Sequence, residues 1–394
     1  MNHRRFAISA ITFVISFANA LVFYSYPFLL GALKISNGIA GIVVGVASCL
    51  TMVCRLASGV YMDKVGGRYV MTIITAAYVI FFAILSSPFV QLVMLGRVLI
   101  GVSLGILSTV LMYHTIASAE SHQQKGQHLA LYTFFSMLPT CLAPSLSLEI
   151  IHYTGVKPVV WLATMLSLMG LALALFLEYT SPEVGGQRSN THFSLRALLM
   201  TVCRPQLCLA LVSLGFLYTI SGVTVSFLPG LLASANQSYA SRYLLIYAIA
   251  MLLPRLLLKD HMPAGHSFPT CAFLIAALCA FVGCACTYVM LSSPFVLIGA
   301  FLSGSALGFI YPAIAAYVVC QSEDHVRGSM TAVTACSADG GVILANLTLG
   351  VSAVVFSGKS ILLLPVFFTA CAVMLLIIAA FFARNISMPA FVVE

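Results

Sequence analysis

Charged residues are scarce in this sequence: 18 Lys and Arg together with 10 Asp and Glu make up 7% of 394 residues. Hydrophobic residues make up 61%, and the mean hydropathy is +1.08. An average soluble protein has about a quarter of its residues charged, because its surface faces water. The composition therefore excludes an ordinary soluble fold and indicates a chain whose main solvent is lipid.

Long polar segments are also lacking, and short polar breaks divide the chain into about twelve apolar stretches. Each has about the 20 residues that a helix needs to cross the hydrocarbon core of a bilayer. We therefore expect an all-α membrane protein with twelve transmembrane helices. The predicted spans cover approximately 6–30, 39–60, 69–87, 91–113, 127–149, 157–178, 205–228, 239–258, 269–291, 294–318, 329–351 and 360–383.

The twelve cysteines and nine histidines form no pattern typical of a metal site. The cysteines are scattered through apolar stretches, and we interpret them as packing residues. An intramembrane enzyme would need catalytic groups clustered at one depth, and the sequence contains no paired aspartate motif of that kind. An enzyme is therefore the less favoured class, and we predict no cofactor, no bound metal and no nucleic-acid partner.

Basic residues predict the orientation of the chain, because Lys and Arg are retained on the cytoplasmic side during insertion. If both termini are cytoplasmic, most of the 18 basic residues fall at or near cytoplasmic ends of predicted spans, Arg55 and Arg255 among them. The net charge of +8 is explained by this bias. We therefore predict a multi-pass protein with both termini in the cytoplasm.

An internal repeat relates the two halves of the sequence. GRVLIGVSLG at 96–105 aligns with GAFLSGSALG at 299–308, and all three glycines match at one constant offset. Arg55 and Arg255 match at nearly the same offset. Two parallel six-helix repeats are the plan of many secondary transporters, whose substrate site lies near the bilayer midplane.

The longest polar stretch separates the repeats. We predict an N-terminal six-helix half over 1–179, a cytoplasmic linker over 180–204 and a C-terminal six-helix half over 205–394.

The stretch ASGVYMDKVGGRYV at 57–70 concentrates charge among glycines in an otherwise apolar chain. It resembles the G-x-x-x-D-[RK]-x-G-[RG]-[RK] loop between the second and third helices of the major facilitator superfamily, and the matching residues are Gly59, Asp63, Lys64, Gly66, Gly67 and Arg68. The resemblance implies that Asp63 and Arg68 latch the two halves on the cytoplasmic side. A solvated loop that only obeys the positive-inside rule is the alternative. Because a helix amino terminus stabilises a carboxylate, we expect Asp63 beside one.

Arg97 lies inside the fourth predicted span, where a lipid-exposed guanidinium costs about 2.5 to 3.5 kcal/mol even on the insertion scale. It begins the pattern Arg97-x-x-x-Gly101-x-x-x-Gly105, which resembles the fourth-helix motif of proton-coupled members of the superfamily. A structural charge paired with a neighbouring helix is the alternative. The expected acidic counterpart is Asp339, about 15 Å into the eleventh span, as a proton carrier or a site for a cationic substrate group.

Two further spans depart from patterns of the superfamily. The fifth contains Pro139 and Pro144, where Ala143-Pro144 keeps the proline of an exporter motif but lacks its glycines. Because proline removes a backbone donor, we expect a kink there. The first span lacks the aspartate of many proton antiporters, and Asn19 is its main polar residue.

A narrower resemblance is to the opine-metallophore (staphylopine-type) exporters, carried by SFANALVF, ALYTFFSMLP, PRLLLKDHMPAGHSFP, GFIYPAIAAYV and ACSADGG. It implies an alternating-access exporter of a small, carboxylate-rich metal chelator in the bacterial inner membrane, with protons as the candidate coupling ion. Arg97 is then available for a cargo carboxylate. Asn19, Tyr218 and Tyr311 are expected to offer hydrogen bonds, although each tyrosine also fits a packing role. We expect a monomer, and the alternative function is a broad-specificity drug/proton antiporter.

Overall fold

The structure, a computed structural model, describes residues 3–34, 37–65, 69–119, 122–180, 195–226, 228, 231–232, 237–262, 268–322, 326–355 and 362–385. This part of the chain is almost entirely helical, with a 3₁₀ turn at Lys259–His261. Its helices are α1 (His3–Ala32), α2 (Asn37–Val65), α3 (Val70–Ile84), α4 (Val90–Ala117), α5 (His122–Thr154), α6 (Lys157–Thr180), α7 (Leu195–Val202), α8 (Pro205–Ser226), α9 (Gln237–Leu257), α10 (Thr270–Val289), α11 (Val296–Gln321), α12 (Arg327–Val355) and α13 (Leu363–Asn385). The twelve predicted spans each coincide with one of these helices, and α7 is a short addition.

Large apolar side chains cover the outside of the helices instead of polar ones. Ile73, Phe176, Leu347 and Met374, each on a different helix, are all more than half exposed. Such a surface is stable only where lipid is the solvent. Nine of the helices, over the residues that the structure describes, contain a stretch long and apolar enough to cross a membrane. The prediction of an all-α membrane protein is confirmed.

The first of two compact units comprises residues 1–194 and 323–333. Within it, α1 packs against α5 and α6, α2 packs against α4, and α3 packs against both α4 and α6. The α2–α4 contact depends on two glycines, because a Cβ at Gly101 or Gly105 would collide with the backbone carbonyl of Ala47 or Thr51. The Thr51 hydroxyl lies 2.7 Å from the carbonyl oxygen of Gly101 and ties the two helices together.

The second unit comprises residues 195–322 and 334–394. Within it, α8 packs against α13, α9 packs against α11, and α10 packs against α11 and α13. Gly304 and Gly308 of α11 approach the backbone of α9 at Tyr247 and Met251. The glycines that align in sequence therefore make the same kind of contact in each unit.

The predicted division into two halves and a linker stays a prediction. The border between the compact units crosses α12, and residues 181–194 of the predicted linker lie outside the described residues.

Candidate functional site

Arg97 is a buried cation in the first unit. It is the eighth residue of α4, about 10 Å from the start of that helix, and only 4% of its surface is exposed. Its guanidinium carbon lies over the rings of Phe23 and Tyr26, at 5.8 and 5.9 Å from the ring centroids. A cation over an aromatic face gains about 0.5 to 2 kcal/mol, so the two rings offset part of the cost of burying the charge.

Several buried polar atoms near this cation have no hydrogen-bond partner among the described residues. They are Nε of Arg97 and the hydroxyls of Tyr26 and Tyr78. Oδ1 of Asn19, on the helix that carries Tyr26, is also buried and has no partner among these residues. Both tyrosines lie within electrostatic range of Arg97. Leaving such an atom unsatisfied costs about 1 to 3 kcal/mol, and few native groups remain so. The cluster is therefore suited to a polar guest that supplies the missing partners.

One face of α1 carries three residues: Asn19, Phe23 and Tyr26. They are spaced i, i+4 and i+7, which places them on one side of the helix. Tyr78 comes from α3, which packs against α4. Sequence reasoning identified Asn19 and Arg97 but missed the three aromatic residues, although the helical spacing from Asn19 was a usable signal for two of them.

The described acidic side chains of the first unit have other environments. Glu149 is exposed, and a carboxylate oxygen of Glu178 accepts a hydrogen bond of 2.7 Å from the Thr72 hydroxyl. Asp339 belongs to the second unit. Its pairing with Arg97 stays a prediction.

The second unit buries an arginine of its own. Arg255 near the end of α9 is 1% exposed, and its Nε donates a hydrogen bond of 3.1 Å to the carbonyl of Gly308. That carbonyl would normally accept from the backbone nitrogen four residues later, but that residue is Pro312, which has no N–H. The Arg255 side chain therefore replaces the helical hydrogen bond that the proline removes.

Around Arg255 the structure brings together the predicted site residues of the second unit. Tyr218 and Tyr311 both lie within electrostatic range of Arg255. The two tyrosine rings have their centroids 5.7 Å apart. Asp339 is half-buried and lies in electrostatic range of Tyr218. Sequence reasoning placed Arg255 at a cytoplasmic helix end and did not foresee its burial, since only its position after Pro254 in an apolar run hinted at it.

The two glycines that follow Asp339 have different surroundings. A Cβ on Gly341 would overlap the carbonyl oxygen of Gly215, so only glycine lets α12 approach α8 this closely. A Cβ on Gly340 would meet no atom within 4 Å, so open space adjoins α12 at that residue.

The predicted cytoplasmic loop is only partly described. Gly59 of α2 is buried, and its Cβ position lies within 3.0 Å of Gly328, Ser329 and Ala332, all in the first unit. Asp63 and Lys64 lie in the last turn of α2, and their side chains are not among those described. The remaining loop residues, Gly66, Gly67 and Arg68, lie outside the described residues.

Asp63 lies two residues before the end of α2, at the negative end of the dipole of its own helix, which disfavours a carboxylate. Its expected place beside the amino terminus of a helix stays a prediction. The latching role of Asp63 and Arg68 stays a prediction.

The fifth predicted span forms a helix that contains both of its prolines. α5 runs through Pro139, which is buried, and Pro144, whose side chain is not described. In the part of the chain that the structure describes, no three His, Cys, Asp or Glu side chains are placed to hold a metal ion.

Comparisons with known proteins agree with this architecture. A model of the Major Facilitator Superfamily matches residues 8–345. The staphylopine export protein of Staphylococcus aureus is 22% identical over 344 residues, which cover 84% of this chain and 85% of that protein. Two solved structures at 16% identity show the same fold: the human organic anion transporter MFSD10, with a TM-score of 0.72 over 97% of this chain and 100% of that one, and the transporter FucP in its outward conformation, with a TM-score of 0.73 over 96% and 99%.

Proposed function

The chain belongs to the Major Facilitator Superfamily. We propose that this secondary transporter exports a small, polar, carboxylate-rich metal chelator. Membership makes the protein a multi-pass membrane transporter and not an enzyme. The proposal adds the bacterial inner membrane, cytoplasmic termini and the direction of transport. Its support is the similarity to the staphylopine export protein together with the chemistry of the cluster around Arg97.

The observation that carries the proposal is the burial of Arg97 against aromatic rings. A guanidinium that is 4% exposed and whose Nε lacks a partner among the described residues favours an anionic guest. A planar carboxylate matches the donors of a guanidinium in geometry and in charge. A metal chelator carries several such groups, so its chemistry suits this site better than that of a lipophilic cation.

Proton coupling is part of the proposal, with Asp339 as the candidate carrier. Its half-buried carboxyl lies within electrostatic range of Tyr218, which in turn lies within electrostatic range of Arg255. A change of charge on Asp339 would therefore alter the electrostatics of a buried network. Loss of coupling without loss of binding in an Asp339→Asn variant is the signature of this role.

The test of the proposed function is a secretion assay under metal starvation. Deleting the gene in cells that make a chelator should raise the intracellular chelator and lower the extracellular chelator at least tenfold. The wild-type gene should restore secretion, Arg97→Gln should not, and Arg242→Gln should, because Arg242 is exposed. Chelator and protein levels are measured in the same cultures.

The same strains separate the proposal from a drug/proton antiporter. Unchanged extracellular chelator in the deletion strain, combined with new sensitivity to lipophilic cations, would replace metallophore export with drug export.

A further inference from the structure

We propose that Arg97, Tyr26 and Tyr78 form an enclosed site for one carboxylate group in the first unit. The site rests on the proposed function and deepens it, because it assigns to the cargo the group that this half recognises. The two tyrosines come from α1 and α3 and meet Arg97 of α4 only in the folded unit.

At least one donor of Arg97 remains available beside the aromatic rings. The Cζ of Arg97 lies over the rings of Phe23 and Tyr26, at 5.8 and 5.9 Å from their centroids. Nε of Arg97 has no hydrogen-bond partner among the described residues. The two rings therefore stabilise the cation, while its Nε–H stays available to an acceptor.

Two phenol hydroxyls supplement these donors. Tyr26 and Tyr78 are both 0% exposed, and neither hydroxyl has a hydrogen-bond partner among the described residues. A carboxylate offers two oxygens with about four acceptor positions. Its acceptor positions are therefore enough in number for Nε of Arg97 and for both hydroxyls.

The charge of the site suits a carboxylate. A carboxylate carries one negative charge, which Arg97 neutralises. Arg55, which is half-buried, lies within electrostatic range of Tyr78 and adds positive potential on that side of the site.

The test measures binding of a simple carboxylate to the purified full-length protein. Iminodiacetate is titrated against thermal unfolding in detergent, with sodium chloride at equal ionic strength and inorganic phosphate as comparisons. Binding to the folded state raises the melting temperature, and the shift yields an apparent Kd. We expect iminodiacetate to stabilise the protein more than either comparison salt. Tyr26→Phe and Tyr78→Phe should each weaken its binding about tenfold, and Arg97→Gln should abolish it.

The stability of the ligand-free variants separates a binding role from a structural one. Because neither hydroxyl has a partner among the described residues, Tyr26→Phe and Tyr78→Phe should leave the ligand-free melting temperature unchanged or raise it. The control is Tyr243→Phe in the second unit, where the buried hydroxyl is 3.1 Å from the Thr287 hydroxyl. That variant should lower the ligand-free melting temperature and leave iminodiacetate affinity unchanged.

Two results would overturn the carboxylate site: no specific effect of iminodiacetate on the wild-type protein, or equal affinity in the wild-type protein and both tyrosine variants. Failure of the secretion assay with intact iminodiacetate binding would overturn the proposed function and leave the site standing. Normal secretion of chelator with no carboxylate binding would overturn the site and leave the proposed function standing.

Discussion

Single glycines determine how closely the helices of each unit approach. A Cβ at Gly105 would collide with the backbone of Thr51 and Arg55, which has no room to move away. We therefore expect Gly105→Ala to lower the free energy of unfolding by about 1 to 3 kcal/mol through overpacking. Thermal or denaturant unfolding in detergent measures this loss.

The control for Gly105 is Gly45, which lies in α2 with no atom within 4 Å of its Cβ position. Gly45→Ala should keep or raise stability, because alanine is the better helix former by about 1 kcal/mol. Equal effects of the two substitutions would show that helix propensity, and not the close contact, determines the change in stability.

At the scale of elements, α9 and α11 are joined by the hydrogen bond between Arg255 and the carbonyl that Pro312 leaves without a helical donor. Arg255→Met should lower the free energy of unfolding by about 2 kcal/mol, since a buried acceptor loses its partner. Adding Pro312→Ala restores the backbone N–H, so the double variant should recover about 1 kcal/mol. A double-mutant cycle on thermal unfolding measures the coupling.

Pro254 provides the control for this cycle. It lies inside α9, and the N–H that it lacks would have donated to a carbonyl other than that of Gly308. Pro254→Ala should not rescue Arg255→Met. Additive effects of Arg255→Met and Pro312→Ala would contradict the proposed substitution of one hydrogen bond by the other.

At the scale of the whole molecule, the latching role predicted for Asp63 implies that its substitution reduces transport without reducing stability. Asp63 lies in the last turn of α2, where the helix dipole costs a carboxylate about 0.3 to 1 kcal/mol. Asp63→Asn should therefore leave the melting temperature unchanged or slightly higher, while secretion in the chelator assay falls at least tenfold. Glu149→Gln, at an exposed carboxylate of the same unit, should change neither quantity. Full secretion by Asp63→Asn at equal protein level would remove the latching role.

The sequence by itself determined the class of protein, the number of long helices and the repeat, because each depends on local composition and spacing. Lipid as solvent requires apolar helices of one length, and close helix contacts require glycine wherever they recur, as at Gly105 and Gly308.

The environment of each polar side chain was decided only by the tertiary structure. Arg255 was predicted at a helix end, and no sequence pattern singled out Tyr78, because burial and hydrogen bonding depend on helices far apart in the chain. The carbonyl that holds Arg255 lies 53 residues away from it, and Tyr26, Tyr78 and Arg97 converge from three helices. A local pattern indicates which residues are costly to bury in lipid, but only packing decides which groups meet them there.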